Sequence, residues 1–197
     1  MIKKIGYFSI SVVIPQVLSL ITIFIFVKYL NVEEFAKIAI FESILLLLQS
    51  TVGLAVEKAC SRYYHDWKEQ VISFASSVTL ISSIIIFLLC ILINEVFDIL
   101  NYFGLSLFSF IMLYIAACGY IQTLILLTKY QFEESVNDYL KLSLLKTAPF
   151  FIIVILYIFL FDMRADSFIW GHGITGLFLL LFTTIKNKPL FKSNEKV

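Results

Sequence analysis

The chain has 197 residues, of which 60% are hydrophobic and 15% are charged, and its mean hydropathy is +0.96. This composition excludes an ordinary soluble domain and predicts an integral membrane protein. The net charge of +1 provides no basic field for nucleic acid, and Cys60, Cys90 and Cys118 are too scattered for a disulfide framework or a zinc site. We therefore expect neither a nucleic-acid partner nor a metal or other cofactor.

Six apolar segments are long enough, at about 20 residues each, to cross the hydrocarbon core of a bilayer. The first runs without a charge from Ile5 to Val27 and has no obvious cleavage motif, so we interpret it as a retained span and not as a signal peptide. The pattern predicts an all-α polytopic membrane protein, with a six-transmembrane-helix bundle as a single domain (1–185) and a basic tail (186–197). The predicted spans are 5–27, 36–57, 71–94, 103–126, 144–161 and 167–185.

Polar residues interrupt the first two predicted spans. Pro15 frees a backbone carbonyl near the middle of span one, and Gln16 places an amide beside it. In span two, Glu42, Gln49 and Gly53 lie on nearly one helical face, which we expect to point away from lipid. Glu42 is either an ion-coupling group in a wet cavity or a carboxylate close enough to the outer surface to reach water. Gln16 and Gln49 are candidate substrate-binding residues.

A cluster of basic and aromatic residues follows span two. Lys58 and Arg62 are four residues apart on one helical face, so the pair is a candidate phosphate-binding site at the membrane edge. The alternative is simple anchoring by positive charges on the cytoplasmic side. A catalytic role for the adjacent His65-Asp66 pair would need a nucleophile that the sequence does not nominate, so we predict no catalytic residue.

The middle spans offer weaker signals. The hydroxyl residues of span three favour close packing of helices, whereas Gln122 adds an amide to span four. The polar segment 129–141 could form a short surface helix. Span five is short unless the ammonium of Lys146 snorkels to the interface. The hydroxyl residues in question are Ser76, Thr79 and Ser83.

The stretch GHGITG (171–176) matches the dinucleotide-binding pattern G-x-G-x-x-G letter for letter. No strand precedes it and it lies within an apolar span, so we reject it as a cofactor loop. Its glycines are expected to let helices approach closely, and His172 could form a hydrogen bond between helices or take part in a proton relay.

Basic residues are distributed asymmetrically around the six spans. Twelve of the 15 lysines and arginines fall on one side, which predicts cytoplasmic N and C termini. Only Lys28, Lys37 and Arg164 fall on the other side. The twelve are Lys3, Lys4, Lys58, Arg62, Lys68, Lys129, Lys141, Lys146, Lys186, Lys188, Lys192 and Lys196.

The segment FVKYLNVEEFAKIAIFESILLLLQSTVGLAVEKACSRYY (26–64) resembles the start of the polysaccharide (O-antigen) flippases of the MOP superfamily. In that family the first span ends in a motif like aryL.peefG, and span two ends in a motif like lGl..a..Ry. Ala36 stands where the family usually has glycine. The matching residues are Tyr29-Leu30, Glu33-Glu34-Phe35, Gly53-Leu54 and Arg62-Tyr63.

This resemblance implies a carrier in the bacterial inner membrane, and not an enzyme. It would move undecaprenyl-pyrophosphate-linked oligosaccharides to the outer leaflet by alternating access between two six-helix lobes. The chain corresponds to the N-terminal lobe, so the implied partners are lipid-linked oligosaccharide, membrane lipids, and a second lobe or a parallel homodimer partner. A different hypothesis is a non-transporting scaffold subunit of a polysaccharide-assembly complex.

Overall fold

The computed structural model describes the backbone of residues 2–186, and the side chains of residues 9, 10 and 12–186. Within this range there is no strand, and six of the helices are long and apolar enough to cross a membrane. This confirms the all-α, six-span prediction for a multi-pass membrane protein. The predicted basic tail lies outside the described residues apart from Lys186. The helices are α1 (Ile2–Tyr29), α2 (Val32–Gly53), α3 (Val56–Trp67), α4 (Glu69–Phe97), α5 (Ile99–Tyr102), α6 (Leu107–Phe132), α7 (Val136–Phe161) and α8 (Asp166–Lys186).

The polar segment 129–141 does not form the surface helix considered above. Its first residues complete α6, three residues make a turn, and the remainder forms the first turns of α7. Span five is therefore longer than predicted, because helix α7 begins at Val136 and carries polar residues before its apolar part. The count of apolar residues predicted the apolar part of this helix, residues 144–161, and left out the polar residues with which the helix begins.

A break separates α2 from α3 inside the second predicted span. Leu54 and Ala55 both adopt left-handed backbone conformations, with φ of 45° and 55°. This conformation costs a residue with a Cβ about 1–2 kcal/mol. Beyond the break, α3 packs on α4 and α6 through Cys60 and Tyr64, which are both buried.

Helix α6 is the centre of the bundle, and its closest neighbour is α8. A Cβ added at Gly119 would overlap the carbonyl oxygen of Gly176, and one added at Gly176 would overlap the backbone of Ala116. Gly173 similarly lies against Met112, while Gly171 lies against α7. The close approach predicted for the glycines of GHGITG is confirmed.

Most described basic side chains gather at the end of the bundle that holds α3 and the α6–α7 turn, which we call the lysine-rich end. There Lys129 Nζ lies 2.7 Å from Glu69 Oε1, and the Tyr64 hydroxyl donates to Glu133 over 3.2 Å. Burial and the Glu133 carboxylate raise the pKa of Tyr64 to about 12, so the phenol stays a hydrogen-bond donor to well above neutral pH. The described cations of this end are Lys58, Arg62, Lys68, Lys129, Lys141 and Lys186.

The opposite end is tied together around the start of α2. Asn31 caps this helix by accepting a hydrogen bond from the Glu34 backbone, and the Glu34 carboxylate accepts one in return. Arg164, from the α7–α8 turn, lies 3.5 Å from the same carboxylate and 3.3 Å from Asp162. Lys146 belongs to neither end, because it lies inside α7. The cytoplasmic location of both termini stays a prediction, which depends on the distribution of the other lysines and arginines.

Candidate functional site

A cavity of about 490 Å³, which we call the central cavity, lies between α1, α2, α6, α7 and α8. Helices α1 and α2 are joined by a short turn but pack on different partners, α1 on α7 and α2 on α6. They therefore form two separate walls. Phe26 of α1 and Phe35 of α2 line the cavity nearest that turn.

The structure brings together three of the five candidate site residues from the sequence. Gln16 lies on the α1 wall, and Glu42 and Gln49 lie on the α2 wall. The shared face of Glu42 and Gln49 follows from their separation of about two helical turns. None of the three side chains has a hydrogen bond or ion pair to another described residue, so all three polar groups are free to meet a solute.

Glu42 lies near the middle of α2 and lines the central cavity. Helix α2 begins at Val32, so Glu42 is about 15 Å of helical rise from the start of the helix. Its side chain is exposed, and that exposure is to the central cavity. A carboxylate is costly in hydrocarbon, and the cavity provides the wet or polar surroundings that it needs.

Lys146 is the main functional residue that sequence reasoning missed. The sequence suggested only that its ammonium could snorkel to the interface, and the structure places the residue about 15 Å from the start of α7, lining the central cavity. Its Nζ lies 5.4 Å from the ring centroid of Tyr120, within the range of a cation–π interaction. No carboxylate of the described residues pairs with it within 4.0 Å, so its positive charge is available to an anion.

His172 meets Tyr120 across the interface of α8 and α6. The Tyr120 Oη lies 2.6 Å from His172 Nδ1, and the phenol donates when that nitrogen carries no proton. Phe150 stacks on the imidazole with ring centroids 4.0 Å apart, and Phe168 packs against it edge-on at 4.3 Å. The interhelical hydrogen bond considered for His172 is confirmed, and both partners line the central cavity beside Lys146.

The Tyr120→Phe substitution tests how much this hydrogen bond holds α6 to α8. We expect it to lower the free energy of unfolding by about 0.6 kcal/mol, and by no more than about 1.7 kcal/mol, the range typical of polar pairs between membrane helices. Unfolding by detergent titration, followed by helical circular dichroism, would measure the change. Tyr157→Phe is the matched control, since no described residue binds the Tyr157 hydroxyl. Equal losses in the two variants would contradict the role of the hydrogen bond.

The other two candidate residues lie away from the central cavity. Lys58 and Arg62 are exposed on α3 at the lysine-rich end, on the same face as predicted from their spacing. The Arg62 guanidinium lies over the ring of Tyr63, 5.7 Å from its centroid. Neither cation has a carboxylate partner among the described residues, so both are open to anions from solution or the membrane surface.

The amide of span four has a structural role. Gln122 is buried between α6 and α4, where it accepts a hydrogen bond from Ser76 Oγ over 2.6 Å and donates one to the Ser76 carbonyl over 3.0 Å. Thr79 and Ser83 of α4 are buried as well, which confirms that the hydroxyl residues of span three pack against neighbouring helices. Gln122 does not line the central cavity.

Comparison with protein-family models, curated proteins and solved structures finds no match to this chain. The functional interpretation therefore depends on the geometry of the central cavity and on the sequence motifs themselves.

Proposed function

We propose that the protein is one lobe of a membrane transporter that moves a lipid-linked oligosaccharide across the bilayer by alternating access. The central cavity is the observation that carries this proposal. It brings together the carboxylate of Glu42, the ammonium of Lys146 and the amides of Gln16 and Gln49 on helices that are long and apolar enough to span a membrane. Ionisable groups in such positions are costly, and they usually serve solute or ion pathways.

The chemistry of the cavity suits an anionic, sugar-bearing head group. An unpaired ammonium at Lys146 binds phosphate oxygens, while the amides of Gln16 and Gln49 donate to and accept from sugar hydroxyls. In this proposal the head group enters between the walls formed by α1 and α2, while the lipid tail stays in the bilayer. The resemblance of residues 26–64 to the polysaccharide flippases supplies the substrate class, an undecaprenyl-pyrophosphate-linked repeat unit.

Two further roles complete the proposal. Glu42 is the ion-coupling group, because a cavity-facing carboxylate can bind and release a cation or proton as the access changes. Lys58 and Arg62 are the first contacts for the pyrophosphate at the lysine-rich end, which we place in the cytoplasm. A second lobe or a parallel second copy completes the pathway.

Chromosomal Glu42→Gln substitution in the cells that encode the protein tests this function. We expect a large loss of surface polysaccharide and accumulation of complete lipid-linked repeat units in the membrane, since the coupling step fails after synthesis of the unit. The measurements are surface glycan by immunoblot, lipid-linked intermediates by mass spectrometry, and abundance of the protein. Glu95→Gln is the matched control, because Glu95 is an exposed carboxylate of α4 that lies outside the central cavity and outside the motif residues.

Three outcomes decide between the functions. Loss of export with normal protein abundance and complete repeat units supports transport. Incomplete repeat units indicate defective assembly and favour the scaffold hypothesis. Unchanged export removes Glu42 from the mechanism and contradicts its coupling role.

A further inference from the structure

A second cavity, which we call the α7–α8 groove, lies on another face of α7. Its volume is about 520 Å³, and it is formed by the first half of α7, the end of α8 and the end of α6. Lys146, Thr147 and Phe150 turn toward the central cavity, whereas Leu145 and Ile152 line the groove. The two cavities are therefore separate, and the groove lies outside the proposed transport pathway.

The walls of the groove are apolar along most of its length. Leu145, Ala148, Pro149 and Ile152 form a stripe along α7, and Phe182 of α8 faces it. The lining residues on α7 extend from position 138 to position 152, which corresponds to about 21 Å of helical rise. One leaflet of the hydrocarbon core is about 15 Å thick, so the groove is long enough for an acyl chain.

The mouth of the groove lies at the lysine-rich end and carries polar groups. Lys186 Nζ donates to the Tyr130 hydroxyl over 3.0 Å and lies over the rings of Tyr130 and Phe182, at 5.5 and 5.8 Å from their centroids. These contacts hold the ammonium at the mouth, where the exposed Lys141 also lies. The Asp138 carboxylate lines the mouth too, and it accepts a hydrogen bond from Ser135 Oγ over 2.7 Å. Two ammonium groups and one carboxylate leave the mouth with a net positive charge.

We propose that the α7–α8 groove binds one anionic phospholipid from the leaflet at the lysine-rich end. The phosphate lies between Lys141 and Lys186, and an acyl chain follows the apolar stripe toward Ile152. Basic side chains at the membrane boundary favour anionic over zwitterionic lipids when they lie above an apolar groove between helices. A helix from a second copy would match the apolar wall but would leave the two cations at the mouth without a partner.

Fluorescence quenching by brominated lipids tests the proposal in the full-length protein. Trp67 and Trp170 are first replaced by phenylalanine, and Ile152→Trp then places a reporter in the groove. The protein is reconstituted into phosphatidylcholine vesicles that contain either brominated phosphatidylglycerol or brominated phosphatidylcholine at equal mole fraction. Leu160→Trp is the matched control, since Leu160 is an exposed residue of the same helix outside the groove.

At the Ile152→Trp reporter we expect brominated phosphatidylglycerol to quench more strongly than brominated phosphatidylcholine, with an enrichment of about fivefold for each of the two lysines. At the Leu160→Trp reporter we expect the two lipids to quench equally. Lys141→Gln with Lys186→Gln should abolish the enrichment while circular dichroism shows an unchanged helical fold. Equal quenching by the two lipids at Ile152→Trp would overturn the proposal, and so would selectivity that survives both lysine substitutions. Absence of quenching by either lipid at the Ile152→Trp reporter would also overturn the proposal, because it would show that protein, such as a second copy, covers the groove.

Discussion

Gly176→Ala is expected to destabilise the folded bundle strongly and to lower its unfolding midpoint. The new methyl group would overlap the backbone of Ala116, and backbone atoms cannot move aside as a flexible side chain can. Overpacking of a tight core typically costs about 1–3 kcal/mol, and the cost here should reach at least the upper value because α6 and α8 form the closest helix pair. Gly119→Ala should behave in the same way, since its methyl group would meet the Gly176 carbonyl.

Detergent-titration unfolding and the yield of monodisperse protein would measure this loss. Gly53→Ala is the matched control, because its methyl group would lie 2.9 Å from the Cδ1 atom of Ile121, which is the mobile end of a side chain. We expect a much smaller change there. An unfolding midpoint for Gly176→Ala equal to that of the unmodified protein would show that α6 and α8 do not pack at this distance.

Lys146→Gln is expected to reduce export of the lipid-linked substrate at least tenfold. A hydrogen bond to a charged group contributes about 1.5–3 kcal/mol, which corresponds to roughly a tenfold to hundredfold change in binding. Glutamine keeps a polar side chain of similar reach in the central cavity and removes the charge. The same measurements of surface glycan and lipid-linked repeat units would record the loss.

Two further variants separate charge from general damage to the protein. Lys146→Arg keeps the cation and should retain a substantial part of export, although its planar fork differs from an ammonium. Lys37→Gln removes an exposed lysine of α2 outside the central cavity, and we expect unchanged export. Full export in Lys146→Gln would contradict a role for this ammonium in substrate binding.

The sequence was sufficient for the six-span fold because each span is long and strongly apolar. It also predicted the close packing around Gly171, Gly173 and Gly176, since small residues in an apolar helix have few other uses. The helical spacing of Glu42 and Gln49 predicted their common face. These features depend on residues near one another along the chain, where helical periodicity determines which side chains share a face.

The arrangement of the site depends on contacts between segments that are far apart in the sequence. These contacts could not be predicted from the sequence alone. Lys146 looked like the boundary of a span because a cation next to an apolar run usually lies at the interface. In the structure α7 begins at Val136, and Lys146 lies further along the helix, where it lines the central cavity. The polar residues after position 135 were the one available signal that the helix starts earlier. Likewise, nothing in the sequence set Gln16 of α1 opposite Gln49 of α2, or kept Lys58 and Arg62 outside the cavity.

The left-handed pair at Leu54 and Ala55 has a structural consequence. The helical hydrogen-bond ladder of α2 stops at this joint and a new one begins in α3, so the two helices are separate units of the backbone. At the far side of the joint, Tyr64 and its bond to Glu133 fasten α3 to the end of α6. The wall that carries Glu42 and Gln49 is thus connected to the base of the bundle through a non-helical joint and not through one continuous helix.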